Sequence, residues 1–545
     1  MRIGLEADGT GTVPSWSITS LPQRLSENSA NRLSFFDADG ERQDRAFPQV
    51  LREALGAWTL LAAAGCRKGG RCAVMGASGY DWAIAALACL FAGVEVVALP
   101  ESLGDDDARA GLDDLSLDCA VLGNSQLAFG CFEGTPKVAL EGLAAAGART
   151  EAAPLSPADA HFSWVAFTSG TTASAKVKSF RLAPECTEHF IEDFCRLFGI
   201  THDDVWLICH PFSHVVHFEY LLGGLGWGYD VTLADPLRVA LQCAALQPAV
   251  LITVPSVYQQ LATKVRRALP TDGLRGAAVA AWMAQDATPS ALELAKLLRP
   301  VLMPEVDTAV GTHLKVMIIG AAPSSLELRR FLALCGLPVF EGYGMSETQM
   351  LTCNVPGEAR FGTVGRPWPG VELAVEDDGR VLVRLSARRT TRYLNVPQEE
   401  SLATFGSDGW IQTGDLGELR DGFLSLYGRA KEVIITDRGK NVNPAPIEQR
   451  LSAIPGVSHA LVFGDQKPFL VAVLAPQSDE GLDRAAVEPH IARINSDLPQ
   501  HEHIVDFVLL ASPLTTEARL LTGTGKPRRT AVEAFFRTRL EALYA

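Results

Sequence analysis

Several features of exported, membrane-embedded and nucleic-acid-binding proteins are missing from this chain. Residues 1–12 show no charged-then-apolar signal pattern, and the longest apolar run, Trp82 to Ala92, is far too short to span a bilayer. Lys and Arg number 48 against 63 Asp and Glu, which gives a formal net charge of −15 without a basic run. This balance argues against nucleic-acid and membrane-surface partners. We therefore expect a cytoplasmic protein with no transmembrane segment.

Cysteine spacing argues against two further classes of protein. The eleven cysteines lie between Cys66 and Cys353, and no two of them form a Cys-x-x-Cys pair. This spacing favours reduced, mostly buried thiols over a disulfide or zinc framework. No internal repeat is present, and 545 residues are enough for two or more domains with large cores.

Apolar spacing predicts an α/β fold. A helix over 50–61, a strand over 72–75, a helix over 81–92 and a strand over 94–99 would form a βαβ unit, so a parallel sheet is expected here. The same patterns predict further strands at 164–167, 205–208, 250–253 and 314–319, helices at 190–198 and 274–302, and a loop at 141–160.

A hydroxyl-rich turn follows the predicted strand at 164–167. Four hydroxyls surround one glycine in Thr168, Ser169, Gly170, Thr171 and Thr172, and Lys176 and Lys178 come close behind. Hydroxyls, backbone N–H groups and a mobile lysine at the end of a strand suit a polyphosphate. The stretch lacks the Walker spacing, and taken alone it also matches a Ser/Thr-rich surface turn.

Two later stretches extend this pattern. Small residues from Gly320 to Pro323 would let a flat ligand approach the backbone closely. Within 341–348, Tyr343 could lie against a purine, Ser346 could bond a phosphate and Glu347 could hold Mg²⁺. Taken alone, this stretch also matches a glycine-rich turn. Four more polar, glycine-containing stretches follow at 413–416, 427–431, 438–442 and 523–528.

In this order and at these separations, the stretches resemble the adenylate-forming superfamily. It contains the AMP-forming acyl-CoA synthetases, the peptide-synthetase adenylation domains and the beetle luciferases. The match runs from about Leu51 to Arg529 and is most similar to the long- and medium-chain acyl-CoA synthetases. The resemblance implies an α/β fold. A large N-terminal domain of stacked sheets and helices would span residues 1–429, and a small mobile α+β domain would span residues 430–545.

The resemblance also implies three catalytic residues. Lys526 would contact the acyl carboxylate and the α-phosphate as they react, and His214 would lie beside the acyl pocket. Glu347 would hold Mg²⁺, and Thr168 is the second expected metal contact. Cancelling the charge between two reacting anions makes a single positioned cation worth on the order of 3–4 kcal/mol.

The remaining expected contacts bind the nucleotide. The 168–172 loop and Lys176 would hold the β- and γ-phosphates, and Asp415 and Arg429 would bind the ribose. Other expected cofactor-binding positions, around the adenine, the α-phosphate and the C-terminal domain, are Gly320, Ala321, Ala322, Glu341, Gly342, Tyr343, Gly344, Ser346 and Lys440.

The phosphate loop departs from the family pattern at three positions. Ala173 and Val177 replace glycines, and Ala175 replaces a proline. An alanine at a position that needs positive φ costs about 1 kcal/mol. We therefore expect a stiffer or differently shaped loop.

The resemblance implies a two-step reaction. A carboxylic acid and ATP would give an acyl-adenylate and pyrophosphate, and a nucleophile would then displace AMP. Coenzyme A is the first expectation for that nucleophile. Alternatives are an amine, a carrier-protein thiol or nitrite, with no carrier domain expected in the chain itself. A different class, a nucleotide-binding pseudoenzyme, is suggested by the altered loop, whereas Lys526, Glu347, Asp415 and Arg429 favour an enzyme.

The acyl pocket is expected around 217–226, 253–256 and 342–351. In this interpretation Gly223, Gly224 and Gly226 leave room for the acid and Trp227 closes the pocket.

Overall fold

The computed structural model describes residues 2–4, 16–113, 115–168, 177–183, 185–320, 324–387, 389–515, 518–522 and 525–544. The strands in chain order are β1 Arg2–Gly4, β2 Arg32–Phe36, β3 Arg42–Ala46, β4 Arg71–Met75, β5 Glu95–Leu99, β6 Cys119–Leu122, β7 Lys137–Ala139, β8 Trp164–Phe167, β9 Ser179–Leu182, β10 Val205–Ile208, β11 Asp230–Leu233, β12 Val250–Thr253, β13 Val316–Ile319, β14 Val339–Met345, β15 Gln349–Cys353, β16 Arg366–Pro367, β17 Val371–Val375, β18 Arg380–Leu385, β19 Ile411–Arg420, β20 Phe423–Arg429, β21 Ile434–Ile435, β22 Asn441–Val442, β23 Val457–Phe463, β24 Leu470–Pro476 and β25 Ile504–Leu509.

Helices connect most of these strands. They are α1 Leu21–Glu27, α2 Phe47–Ala63, α3 Tyr80–Phe91, α4 Asp105–Leu112, α5 Leu143–Gly147, α6 Glu185–Phe198, α7 Val215–Trp227, α8 Pro236–Leu246, α9 Pro255–Ala268, α10 Gly273–Met283, α11 Pro289–Leu302, α12 Glu305–Val310, α13 Leu326–Leu334, α14 Gln398–Thr404, α15 Pro444–Ser452, α16 Arg484–Ser496, α17 Arg529–Phe535 and α18 Arg537–Glu541. Each described helix is too short or too polar to cross a bilayer.

A six-stranded sheet in the order β7-β6-β4-β5-β8-β9 contains the predicted βαβ unit. Strands β4 and β5 are parallel, with Cys72 opposite Val96, and α3 connects them. Nearly every α3 side chain is buried, from Tyr80 to Phe91, which explains its continuous apolar run. The prediction of a parallel sheet at this point is confirmed.

A nine-stranded sheet, in the order β16-β15-β14-β13-β12-β10-β11-β2-β3, places the candidate site. Within this sheet the adjacent strands β12, β13 and β14 are parallel, with Thr253 opposite Ile319 and Ile319 opposite Glu341. Carboxyl ends of parallel strands meet at one edge of a sheet. Beyond Glu341, β14 continues into an antiparallel hairpin with β15.

Two smaller sheets complete the fold. The order β1-β17-β18-β19-β20 forms a five-stranded sheet in which Asp415 on β19 lies opposite Arg429 on β20. The C-terminal part is built on β23, β24 and β25, with a hydrophobic cluster on each face. This gives a large N-terminal region with a smaller C-terminal α+β region, as predicted.

Two predicted segments differ from the structure. The expected loop at 141–160 contains α5, which packs so closely on α2 that a Cβ atom on Gly147 would lie 2.4 Å from the Glu53 carbonyl oxygen. This helix is hidden in the sequence because it depends on glycine contact rather than on apolar periodicity. The expected helix at 274–302 is two helices, α10 and α11, and Thr288 caps the second by accepting a hydrogen bond from the Ala291 amide at 3.2 Å.

The glycines of α7 are packed and do not leave room for a ligand. A Cβ atom on Gly223 would lie 2.7 Å from Ile191, and one on Gly224 would lie 2.2 Å from Val231. On Gly226 it would meet the Trp16 ring at 2.4 Å. The interpretation of these glycines as pocket space is therefore wrong. They let α7 approach its neighbours closely.

The described cysteines are all free thiols, and most are buried. The sulfur atoms of Cys66, Cys72 and Cys119 lie within 4.8 Å of one another at the start of β4 and β6. Thiols in this position behave as small apolar groups within the sheet.

We expect Gly224→Ser to destabilise the protein. The new side chain would press on Val231 and Tyr229, which are almost fully buried, so overpacking should lower the free energy of unfolding by about 1–3 kcal/mol. The melting midpoint from scanning fluorimetry measures this.

The matched control is Gly79→Ser. Gly79 has extended backbone, lies before α3 and would place a Cβ atom in open space. Equal midpoints for the two variants would contradict close packing at Gly224.

Candidate active site

The candidate site lies where three parallel strands end. Strands β12, β13 and β14 reach their common edge at Thr253, Gly320 and Glu341. Ligands of α/β sheets bind in the crevice outside such carboxyl ends. The β19–β20 hairpin and Lys526 of the C-terminal part contribute side chains to the same place, as the contacts below show.

Part of the predicted phosphate loop can be located. Thr168 directly follows β8, and its amide donates a hydrogen bond to the Lys178 carbonyl oxygen at 2.8 Å. The Lys178 amine pairs with Glu400 at 2.8 Å, so it is committed to a structural ion pair. Predicted or noted residues that lie outside the described part of the chain are Ser169, Gly170, Thr171, Thr172, Ala173, Ala175, Lys176, Ala321 and Ala322.

Asp415 is the buried carboxylate of the site. Its Oδ2 accepts a hydrogen bond from the Tyr343 hydroxyl at 2.5 Å, and its Oδ1 pairs with Arg429 Nε at 2.8 Å. Burial raises the pKa of Asp415, which the positive charges of Arg429 and Lys526 oppose. Each carboxylate oxygen can accept two hydrogen bonds, so Asp415 keeps capacity for further donors such as sugar hydroxyls.

Lys526 is held on a tight turn. The Lys526 amide donates to Thr522 Oγ1 at 3.0 Å, and the Thr522 amide donates to the Lys526 carbonyl oxygen at 2.8 Å. Gly525, at φ +75°, supplies the left-handed residue of the turn. Burial and the Arg429 charge lower the pKa of the Lys526 amine to about 8. The negative charges of Asp415 and Glu432 act in the opposite direction and raise it. This amine forms no ion pair with any carboxylate of the described residues.

His214 stands at the start of α7, as its N-cap residue. Burial and the positive charge of Lys526 lower the pKa of His214 to about 4, so its ring is neutral at pH 7. The effect of Lys526 on His214 shows that the C-terminal turn reaches the α7 end of the site. His214, Asp415, Arg429 and Lys526 therefore form one cluster.

Glu347 is a second buried carboxylate, only 6% exposed. It accepts a hydrogen bond from the Tyr393 hydroxyl at 2.7 Å, and no cation of the described chain pairs with it. A buried carboxyl group without a basic partner offers the oxygen ligands that a hard divalent cation such as Mg²⁺ prefers.

The other predicted residues have distinct places. Glu341 pairs with Arg329. Burial raises the pKa of Glu341 to about 7, although the Arg329 guanidinium favours the charged form and lowers it. Gly344 allows the β14–β15 hairpin to close, because a Cβ atom there would lie 2.1 Å from the Gln349 carbonyl oxygen. Gly342 packs similarly on Met350, and Ser346 follows β14 directly.

Lys440 is not brought into this cluster. It is exposed in the β21–β22 turn, where its backbone bonds to Thr436.

Tyr393 was missed by sequence reasoning, since its partner Glu347 is 46 residues away and no local motif marks it. Its place in Thr391-Arg392-Tyr393 carries no signal of a site contact.

Family models match most of the chain. The AMP-binding enzyme model matches residues 24–385, and the AMP-binding enzyme C-terminal domain matches residues 431–545. The chain belongs to the AMP-binding enzyme family. The predicted resemblance to adenylate-forming enzymes is thereby confirmed.

Relatives of this AMP-binding enzyme include named CoA ligases. The long-chain-fatty-acid–CoA ligase FadD15 of Mycobacterium bovis is 28% identical over 554 residues, covering 91% of each chain. The long-chain-fatty-acid–CoA ligase ACSBG1 of Mus musculus is 31% identical over 301 residues, covering 50% of this chain and 42% of its own.

A solved structure shares the fold. The o-succinylbenzoate CoA synthetase MenE of Bacillus subtilis, in complex with the acyl-adenylate intermediate OSB-AMP, aligns with a TM-score of 0.73 at 20% identity. The alignment covers 94% of the AMP-binding enzyme described here and 98% of MenE. The predicted fold, a large α/β domain followed by a smaller one, is confirmed.

We expect Asp415→Asn to weaken ATP binding at least about tenfold. The amide loses the negative charge that faces Arg429, and a charge-assisted hydrogen bond contributes about 1.5–3 kcal/mol. Isothermal titration calorimetry with ATP measures the change.

Asp421→Asn is the control, because Asp421 lies in the turn of the same β19–β20 hairpin and is exposed. An ATP affinity that stays at the wild-type value in Asp415→Asn would make Asp415 a structural residue only.

Proposed function

We propose that the protein activates a carboxylic acid with ATP and transfers the acyl group to coenzyme A. The observation that carries this proposal is the Lys526 amine, which lies beside His214, Asp415 and Arg429 without an ion-pair partner among the described residues. A desolvated cation of this kind favours an anion in the site. The named CoA ligases among the relatives support the same reaction.

In the first step an acid carboxylate oxygen attacks the α-phosphorus of ATP, and the bond to pyrophosphate breaks. Both reactants are anions, so their approach needs positive charge at the forming bond. Lys526 supplies that charge from the C-terminal turn. Asp415 accepts hydrogen bonds from the ribose hydroxyls, with Arg429 and Tyr343 fixing its orientation. Tyr343 also presents its ring to the adenine.

Glu347 and Thr168 are the residues that would hold Mg²⁺. When bound, Mg²⁺ neutralises phosphate charge during the transfer. Tyr393 fixes the Glu347 carboxylate by donating to it, which leaves its other lone pairs free for the metal. The loop at 168–172 and Lys176 would surround the β- and γ-phosphates.

In the second step the thiol sulfur of coenzyme A attacks the acyl carbon, and the bond to AMP breaks. The acceptor needs a path that Lys526 blocks while it occupies the site, so the C-terminal part must move. We place the boundary between the domains after Arg429, at the short helical turn Ala430–Glu432 that follows β20. Polar contacts across this boundary between described residues include Gln449 Nε2 to the Ser324 carbonyl oxygen at 2.6 Å and Asn443 Nδ2 to the Tyr427 carbonyl oxygen.

The proposed partners are therefore a small carboxylic acid, ATP and coenzyme A, with the reaction taking place in the cytoplasm, where both cosubstrates are available. The net charge of −15 supports the absence of a nucleic-acid partner.

We expect Lys526→Ala to lower ATP–pyrophosphate exchange by about 10²–10³-fold, as for loss of one group that stabilises a transition state. The amine is charged below its pKa of about 8 and neutral above it. In the wild type, kcat/KM for exchange should therefore fall as the pH rises through about 8. Lys526→Arg should lack this alkaline decline, because a guanidinium stays charged.

The control is Lys467→Ala, a lysine of the same C-terminal part that lies over the Tyr544 ring. Near wild-type exchange in Lys526→Ala would overturn the proposed mechanism.

We expect Lys431→Pro to keep adenylation and lose most acyl transfer. Lys431 is exposed in the 430–432 turn, and its amide donates no backbone hydrogen bond within the described residues, so proline there removes no backbone bond. Proline fixes φ near −65° and so restricts rotation at this position. Pyrophosphate release and acyl-CoA formation, measured separately, report the two steps.

Lys431→Ala is the control and should keep both steps. If both steps fall equally in Lys431→Pro, the boundary is not the hinge, and the ligase proposal is unaffected.

A further inference from the structure

Three histidines, His210, His214 and His217, lie next to one another beside the proposed reaction centre. We call them the histidine wall. The positive charge of Lys526 lowers the pKa of His214. His217 lies one turn further along α7 on the same face. The rings of His210 and His217 are 4.9 Å apart. His210 Nε2 lies 2.7 Å from Thr253 Oγ1, at the carboxyl end of β12. The wall therefore runs from Lys526 to the edge of the nine-stranded sheet.

Two of these rings, those of His214 and His217, are only partly covered by protein yet lie in surroundings that disfavour charge. His214 and His217 each keep part of their surface uncovered. Their surroundings nevertheless lower the pKa of His214 to about 4 and that of His217 well below its ordinary value, mainly through burial. Uncovered but desolvated rings are typical of a cleft. No hydrogen bond joins either ring to another described residue.

A neutral imidazole has one donor and one acceptor nitrogen. The ring nitrogens of His217 thus offer a donor and an acceptor that the described protein does not use. An alkyl chain against this wall would desolvate them without replacing their hydrogen bonds to water, which is unfavourable. A hydroxyl group can satisfy both.

The histidine wall also ends at His217. Beyond His217, Tyr220 packs against Phe190, Phe194 and Trp206 with ring centroids 5.4–6.0 Å apart. In the next turn of α7, Gly223 and Gly224 pack against Tyr229 and leave no space for a ligand. Along this face a bound acid can extend past His217 only by displacing buried aromatic rings.

We propose that the activated acid is short and carries a hydroxyl group that bonds to His217. This inference rests on the proposed function and names its substrate class. It differs from the long-chain fatty acids in the names of the relatives. His214 lies next to the carboxylate end of the acid, His217 recognises the hydroxyl, and His210 supports the His217 ring through its bond to Thr253.

The test is ATP–pyrophosphate exchange by the full chain with matched acids. The pairs are benzoate with 3- and 4-hydroxybenzoate, and butyrate with 3- and 4-hydroxybutyrate; octanoate and palmitate test chain length. We expect at least one hydroxylated acid to exceed its unsubstituted partner about tenfold or more in kcat/KM, and to exceed octanoate and palmitate. Preference for unsubstituted or long-chain acids would overturn the inference and leave the proposed function standing. Absence of exchange with every acid would overturn both.

His217→Phe separates recognition from packing. Phenylalanine keeps a ring of similar size and removes both nitrogens, so the ratio between the hydroxylated and the unsubstituted acid should fall to within about threefold. A uniform loss across all acids, with that ratio unchanged, would make His217 a packing residue and overturn the inference. His202→Phe, at an exposed histidine before β10, is the matched control and should keep the wild-type ratio. Melting midpoints confirm that each variant is folded.

Discussion

The positive charge of Lys526 against Arg429 is the interaction on which the site depends. Lys526 is desolvated and is repelled by the nearby charge of Arg429. Asp415 and Glu432 offset these effects only in part, since the pKa of Lys526 remains lowered. An anion between Lys526 and Arg429 removes the imbalance. Lys526 belongs to the C-terminal part and Arg429 to the five-stranded sheet, so an anionic substrate stabilises the arrangement in which the two parts meet. In the proposed mechanism, substrate binding and the position of the C-terminal part are therefore coupled through this charge.

Much of the fold could be predicted because its buried elements carry continuous or periodic apolar runs. Helix α3 and strands β4, β5 and β8 are buried over nearly their whole length, and the patterns for them agree with the structure. Where apolar pattern does not determine structure, prediction failed. Helix α5 depends on contact between Gly147 and α2, and composition alone does not distinguish this from a loop.

The site could be predicted in outline but not in its contacts. Glycines and hydroxyls mark the ends of β8, β13 and β14, where local chemistry and strand geometry coincide. The contact between Tyr343 and Asp415 joins residues 72 positions apart and depends on how two sheets pack. The α7 glycines show the opposite error, since a missing side chain was interpreted as space although neighbouring side chains fill it. Sequence gives the absence of a Cβ atom, and only packing tells what occupies its place.

In the proposed mechanism, nucleotide binding and acid recognition depend on different elements. Asp415, Arg429 and Lys526 come from the β19–β20 hairpin and the C-terminal turn, whereas the histidine wall comes from α7 and the segment before it. A side chain at the start of α7, such as His217, can change without moving β19 and β20, the strands that carry Asp415 and Arg429. Family membership therefore constrains the adenylation step more tightly than it constrains the acid. The polar, short wall beside His214 is stronger physical evidence on the acid than the names of relatives that are 28–31% identical.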